Sequence, residues 1–421
     1  MTASQIHHKA DEYAKGLLAL GLVPGEDTLT VVGVPTLEGC LSFYSCRICW
    51  YWLCCKLAQI SHPYLYHPAD SAMTKVLPVL NSKVIVVGEG TSGSVFNALT
   101  SIFSTSQDFP TSPELPDVKH IFYDNSYKDR SPTQKFINNL DKLRQYGESI
   151  SDQQVEEARQ SVKSEDVLYH IFSSGSTGKP KCIAHPNKGM ANALCLVNSN
   201  LGAVFALNYS YDDLIGYSSV SMLLAGKYGK VVLSPEPFEE SGADEFGDRC
   251  SKCLHPEGIE HFILPSGITQ LIASSFERKH AEAPVLKLVL CSGQIISRKF
   301  KEYIIKTFSG LPFTEYGLSE VMVVAGTTLG TLPSDMEQML DARMYPLPNL
   351  EFCCRDMGMM YPDGTFIIKG RVTDAIRFKI FGDVVYPGPI EEVVSTYPGI
   401  KNVVGGSNND IIGDEITYCI M

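Results

Sequence analysis

An α/β fold is predicted by three observations in this chain of 421 residues. Short β-branched apolar runs alternate with stretches whose apolar residues recur at helical spacing, the pattern of mostly parallel sheets flanked by helices on both faces. Apolar residues make up 44% of the chain and charged residues 19%, enough for a large core spread over two or three domains. One apolar run, residues 167–172, feeds directly into a loop rich in glycine and hydroxyls, and sheets of this class present their ligand sites at the carboxyl ends of their strands.

The elements follow in order. Residues 8–22 carry apolar side chains at helical spacing and end at Pro24 and Gly25, predicting a helix. Residues 28–34 predict a strand, with helix-like sequence continuing to residue 56. Within it, residues 39–55 come nearest to a membrane span, but the run is too short and carries Arg47 near its middle, so a buried helix is expected. Residues 83–88, 120–123 and 167–172 predict buried strands, and the polar, Pro- and Ser-containing stretch 91–117 predicts a surface excursion. Further strands are expected at 230–234, 259–264 and 286–291, with helices at 268–278 and 297–308. No internal repeat or low-complexity tract interrupts the pattern.

The loop that follows Phe172 reads as a phosphate cradle. Gly175 and Gly178 let backbone N–H groups converge on an anion without a Cβ in the way. Ser173, Ser174, Ser176 and Thr177 add hydroxyl donors, while Lys179 and Lys181 add positive charge. The common phosphate-loop pattern does not fit, since it needs glycine at Pro180 and Ser or Thr at Cys182. The bland alternative is a flexible connector that binds nothing.

A net charge of −12 argues against a nucleic-acid partner, which calls for a basic face. It leaves ATP open, because local lysines, arginines and Mg²⁺ set the field around phosphates. Many of the thirteen cysteines lie in apolar runs, as between Cys46 and Cys55, so reduced, buried thiols in an intracellular protein are expected. Cys250 and Cys253 with His255 and His261 form the competing zinc reading, which lacks a second cysteine pair. Asp11 and Glu12 precede any long apolar core, which fits neither a secretory signal nor a transit peptide. The expected location is cytoplasmic, or mitochondrial given a longer N-terminus.

Residues 170–185, HIFSSGSTGKPKCIAH, resemble the phosphate-binding signature of the adenylate-forming superfamily of AMP-dependent synthetases and ligases. Four later segments resemble other parts of the same family in the same order. Ser292, Gly293 and Gln294 match its adenine-contacting turn, with serine where glycine is usual. The stretch 313–320, FTEYGLSE, is similar to its Y-G-[ML]-[ST]-E segment, with Tyr316 as a flat face for adenine and Gly317 allowing close backbone approach. Ser319 would donate to a phosphate, and Glu320 would supply a hard oxygen ligand for Mg²⁺. Arg355, Asp356 and Gly358, followed by Gly370 and Arg371, look like the family's ribose segment; Asp356 would accept both ribose hydroxyls and Arg371 would hold ribose or phosphate. Residues 386–392 resemble the opening of the small C-terminal domain.

The resemblance implies a large adenylation domain over 1–371 and a partial, small α+β domain over 372–421. It assigns Lys181, Thr177 and Glu320 to catalysis, and Ser173, Ser174, Gly175, Ser176, Thr177, Gly178 and Lys181 to the ATP phosphates. The implied reaction activates a carboxylic acid, foremost a fatty acid, as an acyl-adenylate; coenzyme A then displaces AMP. The early segment 10–26 is similar to acyl-CoA synthetases, whereas 382–391 is similar to peptide-synthetase-like carboxylate reductases. Departures also stand out. The family's lysine-bearing P-x-[TS]-x-[ST]-G-K segment has no counterpart before Met421, its hinge residue is Thr373, and the stretch between Pro348 and Arg355 is short. A truncated chain is therefore expected, and with it a second reading: a nucleotide- or acyl-binding relative of reduced activity. Loss of one positioned charge-stabilising group commonly costs about a hundred- to a thousand-fold in rate.

Overall fold

The computed structural model describes residues 2–32, 56–60, 77–87, 97, 99–104, 109–123, 135–173, 181–189, 191, 201–206, 226–233, 242–293, 296–327, 339–341, 343–347, 354, 356–371, 376–377, 384–385, 393–394, 397, 403–409 and 414–420. The chain divides into two compact units, Met1–Ile259 and Glu260–Met421.

In the first unit, β1 (Thr28–Val32), β2 (Lys56–Ile60), β3 (Ser82–Val87), β4 (His120–Tyr123), β5 (Ile137–Asn139), β6 (Val167–Ser173) and β7 (Lys181–Pro186) form one sheet. Its order is β5-β4-β3-β1-β2-β6-β7. Every neighbour is parallel except the β6–β7 hairpin. Val31, Val32, Val84, Ile85, Val86 and Ile121 are buried, as a strand covered on both faces requires. A second parallel pair, β8 (Leu201–Ala206) and β9 (Tyr228–Leu233), runs in register from Leu201 opposite Tyr228 to Ala206 opposite Leu233.

Helix α1 (Ala3–Ala19) begins five residues earlier than its apolar spacing predicts. Thr2 and Gln5 close a capping box there, which starts the helix ahead of the apolar spacing, and Ile6 at the end of the first turn is buried. It packs on α2 (Leu140–Tyr146) and α3 (Asp152–Ser161), whose N-caps are Asn139 and Ser151. Glu12 pairs with Arg144 at 2.8 Å, Asp11 with Arg159, and Lys15 with Asp152 at 2.6 Å. The approach is close because Gly16 lacks a side chain: a Cβ there would lie 2.1 Å from the Leu143 carbonyl oxygen. Helix α4 (Gly242–Leu254) carries Cys250, buried, and Cys253, whose thiol lies 3.6 Å from the Arg249 carbonyl oxygen. No grouping of three or more metal-binding side chains occurs among the described residues.

In the second unit, β10 (His261–Ile263), β11 (Leu288–Cys291) and β12 (Leu311–Leu318) are parallel, and β13 (Met322–Gly326) and β14 (Tyr345–Pro346) extend them antiparallel. Helices α5 (Ser266–Lys279) and α6 (Arg298–Phe308) follow β10 and β11. Phe308 meets Phe262 and Phe276 edge-on, with ring centres 5.2 and 6.1 Å apart. Among the described residues the unit also holds three two-stranded antiparallel sheets: β15 (Asp356–Met360) with β16 (Phe366–Arg371), β17 (Ile376–Arg377) with β18 (Val384–Val385), and β19 (Val403–Asn409) with β20 (Asp414–Ile420).

The expected α/β architecture stands, with two corrections. Residue 56 opens strand β2 where the sequence suggested the end of a helix, and the rest of that expected helix, including 39–55, lies outside the described residues. The stretch 91–117 is not wholly a surface excursion, because Leu99, Phe103 and Leu115 are buried in the cluster around Ile85, Val87 and Ile121. The Ser112 hydroxyl accepts from the N–H groups of Glu114 and Leu115 in a turn there, while these sparse apolar residues supply the packing. No helix among the described residues is long and apolar enough to cross a membrane.

Lys301 is buried in α6, and its ammonium donates to the Met339 carbonyl oxygen at 2.5 Å. Burial lowers its pKa from 10.5 to about 8. The unfolded chain thus holds a proton that the folded one releases between those values, so stability rises with pH across that window and is lost as pH falls through 8. Denaturant unfolding should show the wild type gaining on Lys301→Met as pH rises from 8 towards 10.5. Gly16→Ala should destabilise the fold by about 1–3 kcal/mol, read as a lower denaturation midpoint, because the added methyl meets backbone that cannot rotate away.

Candidate functional site

The predicted site residues fall into two groups, one in each unit. In the first unit, β6 ends at Ser173 and β7 begins at Lys181, with these two residues paired across the hairpin. Lys181 is exposed at this mouth. Ser174, Gly175, Ser176, Thr177 and Gly178 lie outside the described residues. The loop is followed by strand β7 and not by a helix, so among the described residues no helix starts directly after it to offer a positive N-terminal end. Backbone N–H groups, hydroxyls and lysine ammoniums are the available donors.

The second group is built on neighbouring strand ends. β11 and β12 run parallel with Cys291 opposite Thr314, so the residues after Cys291 leave the sheet beside those that lead to Tyr316. Ser292 is buried, and Gly293 has φ +84°, a conformation that glycine adopts without strain. Gln294 lies outside the described residues. In β12 the pairing shifts between Tyr316 and Gly317, an irregularity of the kind that re-aims side chains. Ser319 and Glu320 follow in the turn to β13, and Glu320 is exposed.

Tyr316 meets the β15–β16 hairpin. Its hydroxyl donates to Asp356 Oδ2 at 2.5 Å, and its ring stands edge-on to Phe366 with centres 6.4 Å apart. The other carboxylate oxygen, Oδ1, faces Arg371 Nε at 3.5 Å. Asp356 and Arg371 lie opposite each other in the hairpin register, at the first residue of β15 and the last of β16. The Asp356 side chain is only 9% exposed, whereas that of Arg371 is 60% exposed, so the carboxylate is enclosed while the guanidinium reaches solvent. Burial, then the hydrogen bond to Asp356, pushes the Tyr316 phenol up, and it stays a donor at neutral pH. Of the predicted nucleotide residues, Tyr316, Asp356 and Arg371 are therefore brought together. A fixed carboxylate with two acceptor oxygens, beside an aromatic face, suits a vicinal diol carried by a flat ring.

Three further residues were not singled out from sequence. Cys354 places its sulfur 3.6 Å from the Tyr316 hydroxyl. Thr314, two residues before Tyr316 and so on the same strand face, has a buried hydroxyl with no hydrogen-bond partner among the described residues. Glu315, between them, is half-buried as a residue, but its carboxyl end is desolvated and its pKa is pushed up to about 7. No sequence signal distinguishes these three: Thr314 and Glu315 depend on which face of β12 turns inward, and Cys354 on the path of the chain into β15.

Comparison with known proteins places the architecture. The chain is similar in structure to the amide bond synthetase McbA from Marinactinospora thermotolerans, with a TM-score of 0.71 and 15% identity over 100% of this chain and 84% of that one. It is similar to the anthranilate CoA ligase AuaEII, with a TM-score of 0.69 and 14% identity over 99% of this chain and 81% of that one. It is also similar to a fatty acyl CoA synthetase of Mycobacterium tuberculosis, with a TM-score of 0.61 and 15% identity over 100% of this chain and 82% of that one. No curated protein sequence matches the chain. These likenesses establish the fold, and membership follows from the sequence model of the AMP-binding enzymes, which matches residues 1–370: the chain belongs to the AMP-binding enzyme family, within the adenylate-forming superfamily.

Proposed function

We propose that this protein activates a carboxylic acid, foremost a fatty acid, with ATP, and passes the acyl group to coenzyme A. The observation that carries the nucleotide part is the buried Asp356 carboxylate between Tyr316 and Arg371. Its two oxygens would accept the ribose hydroxyls, with Tyr316 against the adenine and Arg371 reaching ribose or phosphate. Ser292 and Gly293 would line the base, joined by Gln294. The loop from Ser173 to Lys181 would hold the β and γ phosphates through Ser174, Gly175, Ser176, Thr177 and Gly178, with Ser319 as a further donor. The donors fit such an anion in kind, and the exposed Glu320 fits Mg²⁺, which would neutralise phosphate charge.

In the first step a carboxylate oxygen of the acid bonds to the α-phosphorus while the bond from that phosphorus to the bridging oxygen breaks, releasing pyrophosphate. In the second, the thiolate sulfur of coenzyme A bonds to the acyl carbon and AMP leaves with the electron pair. The protein's part would be to align the reactants and stabilise charge at phosphorus, a task assigned to Lys181, Thr177 and Glu320. The proposed domains are 1–371 and 372–421; the end of the family match at residue 370 supports that boundary. Likeness to both CoA ligases and an amide bond synthetase favours a second reading of the acceptor, an amine in place of the thiol.

The test is acid-dependent exchange of labelled pyrophosphate into ATP, with aryl acids and a series from octanoate to palmitate. Exchange above that of a Lys181→Ala/Glu320→Ala double variant is the expected result, followed by thioester formation with coenzyme A in preference to amines. ATP binding without exchange would instead identify a pocket without turnover. Asp356→Ala should weaken AMP binding by at least about tenfold, since hydrogen bonds to a charged group contribute roughly 1.5–3 kcal/mol each.

A further inference from the structure

The turn after β11 is held from one side by a residue that the reaction above does not use. Ser266 is the first residue of α5, where a backbone N–H has no partner within the helix. The N-cap is Pro265, whose side chain makes no capping hydrogen bond. The Ser266 N–H turns instead to the carbonyl oxygen of Ser292, at 3.3 Å, and the Ser266 hydroxyl donates to the same oxygen at 3.0 Å. Two donors from one residue thus converge on one carbonyl. Ser266 is 1% exposed, so water cannot replace either of them. Immediately beyond that carbonyl the chain turns through Gly293 at φ +84°, and a Cβ at this glycine would lie 4.0 Å from Pro265. The start of α5 therefore holds the Ser292 carbonyl in one direction, immediately before the left-handed turn at Gly293.

We infer that Ser266 is a positioning residue for nucleotide-base recognition, clamping the Ser292–Gly293 turn so that its backbone meets the purine edge in a single geometry. This rests on the nucleotide reading proposed above. Removing the hydroxyl leaves the weaker N–H bond, so the fold persists while the turn gains freedom. The loss falls on the base, and not on the phosphates.

The experiment compares binding of AMP, GMP and inorganic pyrophosphate to the full-length wild type, Ser266→Ala and Ser266→Thr, with thermal unfolding run alongside. In Ser266→Ala, AMP binding should weaken about three- to tenfold, the range expected for one hydrogen bond. Preference for AMP over GMP should narrow, and pyrophosphate binding should stay unchanged. Ser266→Thr, which keeps the hydroxyl, should restore the preference. Unchanged AMP binding and preference in Ser266→Ala, or equal losses for AMP and pyrophosphate, would overturn the role of Ser266 and leave the nucleotide reading intact. A wild type that binds pyrophosphate but neither nucleotide would overturn both.

Discussion

A strand covered on both faces leaves little room for polar groups along its length, and this constraint organises the described sheets. Val31, Val86, Ile121 and Val289 fill such strands, so hydroxyls, carboxylates and glycines are displaced to the ends, where the chain leaves the sheet. Ser292 and Gly293 follow the last residue of β11, and Tyr316 stands near the end of β12. The binding machinery of an α/β fold is therefore a consequence of how its core is buried.

Several of the buried polar groups that remain are answered in pairs, although the Thr269 and Thr314 hydroxyls have no such partner among the described residues. The hydroxyls of Thr30 and Ser82 meet across β1 and β3, and the Thr327 hydroxyl bonds both the N–H and the carbonyl oxygen of Thr314. Ser266 and Lys301 are paired likewise, each donating to a backbone carbonyl oxygen, of Ser292 and of Met339. Each such group loses hydration on folding and recovers it only in one geometry, so together they favour one arrangement of the strand ends over many.

Much of this architecture was legible in the sequence where one kind of signal acted alone. Runs 120–123 and 297–308 match β4 and α6 to within a residue, since an apolar run or a capped amphipathic stretch needs no distant partner to be recognised. β2 was missed because KLAQI carries no alternation, and its identity as a strand comes from β1 and β6 on either side. α1 was placed late because its start is set by the Thr2–Gln5 cap and not by apolar spacing. At the site, motif order brought out Tyr316, Asp356 and Arg371, which are distant in sequence yet meet in space. Cys354, Thr314, Glu315 and Ser266 were not legible, because their roles depend on the path of the chain into β15, on strand facing and on a helix start defined only by tertiary contact.

The β6–β7 hairpin has a consequence for the phosphate-type loop it carries. Ser173 and Lys181 are paired, so both ends of the loop are anchored to the same ladder, and the entropy of bringing them together is already lost before anything binds. The same pairing makes the loop sensitive to slippage. Side chains in a strand alternate between faces, so a shift of one residue in β7 would turn Lys181 to the opposite face and put Cys182 in its place. The ladder behind the loop thus determines which side chain stands at its mouth, and a change well outside the motif could remove its charge without altering one of its residues.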